Sequence, residues 1–290
     1  MKKNETRKGQ EYRAWLIYDE ERAAANRSYI QMHYETGARY GIQFQLLMAE
    51  EVEQMMRQDK LAELPDFAII RTISPSLSEQ LESLSVPVFN PAFVSRICND
   101  KGKTISYIKE NTDIPVIETE RYENRQLSES FLQIRPEHVI KSVDGHGGKQ
   151  VFRTTEPFSK ICQGIGSSDF IIQPFIKGMG KDVRVYVIGK KIIGAVERTA
   201  PDGFRSNFSL GGKVASRALD RKERQLAEEI CRLFDFGMAG IDFILDEKGN
   251  FIFNEIEDVA GARMLYQCQP DIRLLEQYFA FILDKILHCT

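Results

Sequence analysis

Between Ala14 and Phe89, short apolar runs alternate with helix-forming stretches. Ala14–Tyr18, Gln43–Met48, Phe67–Ile70 and Val86–Phe89 read as strands. Between them lie a helix from an N-cap at Asn26 to about Arg39, closed by Gly37 and Gly41, a helix over Glu50–Leu61, and another around Leu77–Leu84. Strands separated by helical crossovers run parallel, because a tight turn cannot return the chain in the same direction. The opening of the chain is therefore expected to be an open parallel α/β domain over 13–96, behind a flexible polar tail at 1–12.

The pattern then changes. A helix from Pro91 to about Lys109 carries Asn99-Asp100-Lys101, and Ile114–Ile117 reads as a short strand. After a polar surface segment at 119–137, Val139–Ser142 enters a glycine-rich turn, Asp144-Gly145-His146-Gly147-Gly148, and Val151-Phe152 returns as its hairpin partner. Phe170–Ile176 is another strand. Asp182–Ile188 and Lys191–Arg198 alternate about a Gly189-Lys190 turn, which is a hairpin signal. Arg221–Phe234 reads as an amphipathic helix, Gly240–Leu245 and Phe251–Glu257 as a second hairpin about Asp246–Asn250, and Asp271–Leu287 as the closing helix. The expected division is a small central α+β domain at 97–172 and a mixed α+β domain at 173–290.

Several classes are excluded. The net charge of −3 gives no general grip on nucleic acid. No run of about 18 apolar residues exists to span a membrane, and the polar start lacks the apolar core of a secretory signal. The five cysteines are scattered and form no Cys-x-x-Cys pair, which suits a reducing cytoplasm, and the four histidines show no zinc spacing. Gly102-Lys103-Thr104 is a decoy for a phosphate-binding loop, since Ile97 stands where that motif needs glycine.

The residues that point to chemistry are charged. Glu255 and Glu257, two apart on one strand, share a face, and the hairpin sets Asp242 roughly across from 254–255. Carboxylates so close repel unless a cation holds them, and oxygen-only ligation suits Mg²⁺, with Mn²⁺ as a substitute; the alternative is a solvated acidic strand face. Lys141 ends a strand just before the glycine turn, a phosphate-binding arrangement of backbone N–H groups and one point charge. Lys101 follows Asn-Asp in a helix, and surface placement is the alternative for both lysines. Arg184, Arg205 and Arg263 could each clamp a phosphate or carboxylate, or simply line a surface.

In order along the chain, these features resemble the ATP-grasp superfamily, most closely the RimK-like ligases. The matching pieces are Asn99-Asp100-Lys101 with Thr104, Val139-Ile140-Lys141-Ser142 with Gly145, Gly147 and Gly148, Gln173-Pro174-Phe175-Ile176, Lys181-Asp182-Val183-Arg184, Phe204-Arg205-Ser206-Asn207 with Gly211-Gly212, Gly240-Ile241-Asp242, and Asn254-Glu255-Ile256-Glu257. The resemblance covers about 90–290; the head matches by pattern only. It departs at Glu257, where the family usually has Asn, at Gln173-Pro174, where the hinge acid is missing, and at Asp258–Arg263, which replaces a Ser-Pro-Gly.

The resemblance implies an ATP-grasp fold and an ATP-dependent ligase that joins a carboxylate to an amine through an acyl phosphate. Lys101 and Lys141 would hold the phosphates under the loop of Gly145, Gly147 and Gly148. Gln173, Phe175 and Ile176 would hold adenine, with Phe253 as a wall and Asp182 nearby. Asp242, Glu255 and Glu257 would hold Mg²⁺. Arg205 would stabilise the intermediate, helped by Asn207 or Arg184, and Arg263 would bind a substrate carboxylate. The partners implied are small-molecule or peptide acids and amines, with self-association left open. A thiol or hydroxyl acceptor, and a nucleotide-binding protein without catalysis, stay as alternatives.

Overall fold

The computed structural model describes residues 11–58, 60–61, 63–176, 180–200 and 213–288. The chain forms two compact units. The first holds the chain up to Ser95, Asp235–Met238 and everything from Arg273 on; the second holds Arg96–Phe234 and Ala239–Ile272.

The first unit opens with β1 Tyr12–Tyr18, α1 Glu20–Ala25, α2 Arg27–Arg39, β2 Ile42–Met48, α3 Ala49–Arg57, β3 Phe67–Ile70, α4 Pro75–Ser83 and β4 Val88–Phe89. These strands make a sheet in the order β2-β1-β3-β4, and every pairing is parallel, as the alternating pattern requires. Trp15, Ile17, Ala68 and Ile70 cover one face with Val52, Leu77 and Leu81 from α3 and α4. The tail expected over 1–12 gives up Tyr12 to β1, where it is buried; its first ten residues lie outside the described ones.

The chain continues through α5 Ala92–Cys98, α6 Lys101–Asn111, β5 Glu120–Tyr122, α7 Glu129–Gln133, β6 His138–Ser142, β7 Val151–Arg153, α8 Phe158–Ile165 and β8 Phe170–Pro174. It then forms β9 Lys181–Ile188, β10 Lys191–Thr199, β11 Lys213–Ser216, α9 Arg221–Leu233, β12 Met238–Leu245, β13 Phe251–Glu257, α10 Arg263–Cys268 and α11 Leu274–His288, the last of which belongs to the first unit. The second unit has a four-stranded sheet, β5-β8-β6-β7, and a five-stranded one, β11-β10-β9-β12-β13. On the outer face of the smaller sheet, Ile140, Phe152, Phe170 and Ile172 pack on Leu132, Ile161 and Ile165 of α7 and α8. Among the described residues, no helix is long and apolar enough to cross a membrane.

Local chemistry moved several boundaries. Asn26 does not cap α2: its amide donates to the Arg22 carbonyl at 2.7 Å, while Asp19 caps a separate α1 by accepting from the Arg22 N–H. The single helix expected from Pro91 to Lys109 is two, because Asp100 accepts from the Lys103 N–H at 3.0 Å and starts a new helix. Lys101 therefore opens α6 instead of lying inside a helix. Ile114–Ile117 makes only one bridge, Val116 to Phe253, and the polar 119–137 segment contains β5 and α7.

Candidate active site

The carboxylates meet because of an irregularity in β12–β13. Counting back from the turn, Leu245 pairs with Phe251, Ile244 with Ile252 and Phe243 with Phe253. One extra residue, Asn254, then shifts the register, so Asp242 pairs with Glu255 and Gly240 with Glu257. Regular pairing would set Glu255 across from Ile241, on the opposite face from Asp242. With the bulge, oxygens of Asp242, Glu255 and Glu257 lie within 4.8 Å of one another. The same reversal turns Phe253, fully buried against Phe243, away from that face.

The neighbouring strands supply the counter-charges. Arg184 on β9 donates Nε and Nη2 to the two Asp242 oxygens, both at 2.7 Å, and Nη1 to Glu257 at 2.5 Å. Arg198 on β10 donates to Asp242 at 2.6 Å and holds Asp182 through two bonds of 2.6 and 2.7 Å. All four of Asp182, Arg184, Arg198 and Asp242 are buried. Burial disfavours the Arg184 charge, yet Asp242 and Glu257 outweigh it and hold its pKa well above the ordinary value. Gly240 gives the guanidinium room: a Cβ there would lie 3.0 Å from the Arg184 Cδ.

The cations of the second unit's other wall reach the same carboxylates. Lys101 lies 3.0 Å from Glu255 and also donates to the Gly145 carbonyl. Lys141, at the end of β6, is buried and donates to Asn254 at 2.9 Å. Burial pulls the Lys141 pKa down to about 8. Burial opposes ionisation of Glu255, but Lys101 and Lys141 overcome it and bring its pKa to about 2. The glycine turn is braced by Asp144, which accepts from Ser142 and from Ser168 at 2.9 Å. Gly147 and Gly148 have φ of 65° and 72°, the left-handed region that favours glycine.

Beside Lys141, Ile117, Val139 and Ile244 form an apolar cluster with Val151, Phe175, Ile176 and Ile252. Phe175, Ile176 and Ile252 thus pack together, whereas Phe253, expected beside them, is buried against Phe243. Gln173 is buried, with its amide nitrogen 2.8 Å from the Thr119 hydroxyl. Asp182 is tied to Arg198, and Arg263 is exposed at the first turn of α10. Arg205 and Asn207 lie outside the described residues.

Sequence reasoning missed Arg198, Asn254 and Thr119. Four carboxylates (Asp182, Asp242, Glu255, Glu257) face four protein cations (Arg184, Arg198, Lys101, Lys141). Each glutamate has one oxygen on a cation, and both Asp242 oxygens are on guanidinium.

Comparison with known proteins gives the following. Residues 98–276 match the family model of the RimK-like ATP-grasp domain. The chain is 29% identical over 235 residues to N-acetylaspartylglutamate synthase A of Homo sapiens, covering 75% of this chain and 60% of that protein. It is 30% identical over 211 residues to a probable alpha-L-glutamate ligase of Shewanella pealeana, covering 67% of this chain and 45% of that protein. The chain thus spans less than two thirds of either relative. It shares its fold with the D-alanine–D-alanine ligase from Bacillus anthracis complexed with ATP, at a TM-score of 0.71 and 16% identity over 96% of this chain and 98% of that one.

Proposed function

Because the chain belongs to the RimK-like ATP-grasp family, we propose that it is an ATP-dependent ligase that joins a carboxylate to an amine and releases ADP and phosphate. The observation that carries this reading is the meeting of two lysines with neighbouring residues of β13: Lys101 on the Glu255 carboxylate at 3.0 Å and Lys141 on the Asn254 amide oxygen at 2.9 Å. A triphosphate beside Lys141 would favour its ammonium form, against the burial that pulls its pKa down to about 8. The names of the curated relatives support an amino acid or short peptide as acid and amine. The scattered cysteines, free at 98, 162, 231 and 268, support a cytoplasmic setting.

Lys101 and Lys141 bind the phosphates, and the turn from Gly145 to Gly148 covers them and keeps water out. Apolar contacts from Phe175, Ile176 and Ile252 hold the base. A substrate carboxylate oxygen attacks the γ-phosphorus as ADP leaves, giving an acyl phosphate. The amine nitrogen then attacks the acyl carbon, phosphate departs, and the nitrogen loses its proton. Arg205 and Asn207, by their motif, take the charge of the acyl phosphate, and Arg263 takes a carboxylate of the substrate. The bonds of Arg184 to Asp242 and Glu257 support a role in holding those carboxylates in place.

The cluster fits a magnesium or manganese ion, since its donors are oxygens only and converge within 4.8 Å. Glu255 and Glu257 would hold the ion, with Asp242 behind them, and when bound it offsets phosphoryl charge.

Hydroxylamine trapping tests the reaction. Incubated with ATP and candidate acids, the enzyme should yield a hydroxamate, and ¹⁸O in the acid should appear in phosphate. Hydroxamate without any amide from amines would move the assignment to a thiol or hydroxyl acceptor. ATP binding with no ADP from any acid would reduce the chain to a nucleotide-binding protein.

A further inference from the structure

Arg121 lies on β5, outside every motif that marks the site, yet it is tied to the residue beside Lys101. Its Nη1 donates to both Asp100 oxygens, at 2.9 and 2.7 Å, and its Nη2 lies 3.4 Å from Asp169, just before β8. Burial disfavours the Arg121 charge, but Asp100 and then Asp169 outweigh it and raise its pKa. Asp100 is the N-cap of α6, and Lys101 is the first residue of that helix. The Lys101 backbone N–H donates to the Val143 carbonyl at 2.9 Å, and the Val143 N–H donates to the Asp169 carbonyl at 3.0 Å. These bonds close a ring through Asp100, Arg121, Asp169, Val143 and Lys101. Val143 is the root of the glycine turn, and the next residue, Asp144, accepts from Ser168 at 2.9 Å.

The helix start does not need this ring, because Asp100 already caps α6 by accepting from the Lys103 N–H at 3.0 Å. What the guanidinium adds is registration: it joins the start of the helix that carries Lys101 to the segment that anchors the glycine turn. Gly102 leaves room for it. A Cβ there would lie 3.4 Å from the Arg121 Nη1 and from an Asp100 oxygen. A glycine within a helix lowers stability, and here it keeps the ion pair clear of a side chain.

We infer that Arg121 is a positioning residue for nucleotide binding: by bridging Asp100 and Asp169 it sets Lys101 against the glycine turn, so that both meet the same phosphates. The inference rests on the reading of Lys101 as a phosphate-binding lysine. Arg121 acts through Asp100. Holding the base of a long side chain in register reduces the freedom that Lys101 gives up on binding.

Calorimetric titration of the full chain with Mg-ATP tests this. Arg121→Gln should weaken ATP binding about fivefold to tenfold, the worth of a partly exposed charged pair. Asp100→Asn keeps a capping side chain and removes the charge pair, so it should match that loss. The two together should lose no more than either alone. In a Lys101→Met background, Arg121→Gln should make no further difference. A purely structural role for Arg121 would weaken ATP to the same degree with or without Lys101. Unchanged ATP affinity in Arg121→Gln, or an equal loss in the Lys101→Met background, overturns the inference. ATP affinity unmoved by Lys101→Met itself overturns the phosphate reading of that lysine, and the inference with it.

Discussion

In the β9–β10 hairpin the extra residue is Ile193, and in β12–β13 it is Asn254. Each bulge moves a charged residue one place along. In the first hairpin, regular pairing from the Gly189-Lys190 turn would set Asp182 across from Glu197; the bulge sets it across from Arg198. In the second, the bulge sets Glu255 across from Asp242. So one bulge joins opposite charges and the other joins like charges. The first product is satisfied within its own hairpin and serves as framework. The second is held by groups from elsewhere, Arg184, Arg198, Lys101 and Lys141, and that dependence on outside cations supports the proposal of a ligand there.

The sharpest way to break the contrast is to delete Asn254. Regular pairing would then turn Glu255 away from Asp242, and turnover should fall about a hundredfold to a thousandfold. Asn254→Ala keeps the bulge and loses one bond to Lys141, so it should fall only about tenfold. Steady-state ADP release measures both, and equal losses would remove the bulge from the account.

Asp242→Ala comes next. It strips Arg184 of its bidentate partner and Arg198 of one carboxylate, leaving buried charge poorly matched, at a cost of about 3–5 kcal/mol. Asp182→Ala should cost clearly less, since Arg198 keeps Asp242. Urea unfolding reads both, and an equal loss would contradict the division into framework and site.

Gly240→Ala should have a smaller effect. The added methyl meets Arg184 at 3.0 Å, so the guanidinium must shift, at about 1–3 kcal/mol. Retained stability in the same denaturation series would show that the guanidinium moves freely.

The smallest effect is a slope with pH. The Lys141 pKa is about 8 in the folded chain against an ordinary 10.5. Between these values the unfolded chain holds a proton that the folded one has released, so unfolding takes up a proton and stability rises with pH. Lys141→Met should flatten that limb in the ligand-free protein. An unchanged slope would show that Lys141 titrates as a surface lysine.

The alternation of apolar runs was enough to read the parallel sheet of the first unit, and the carboxylates, Lys141 and the glycine turn stood out by type and spacing. Asp100 and Asp19 were missed as helix starts because capping competes with propensity over a single residue. Arg198 could not be found at all. Its partner follows from register, and a single inserted residue changes register without leaving a composition signal. Thr119 and Gln173 lie far apart in sequence and meet only across β5 and β8.

By itself, the sequence determined which residue types are present, which segments alternate, and which strands are apolar enough to be buried; these are local properties, set by side-chain periodicity and turn chemistry. Only the tertiary structure decided which charges face each other, because two one-residue bulges choose the face on which Glu255 and Arg198 meet their partners, and because burial, which depends on the whole packed unit, sets the protonation of Lys141.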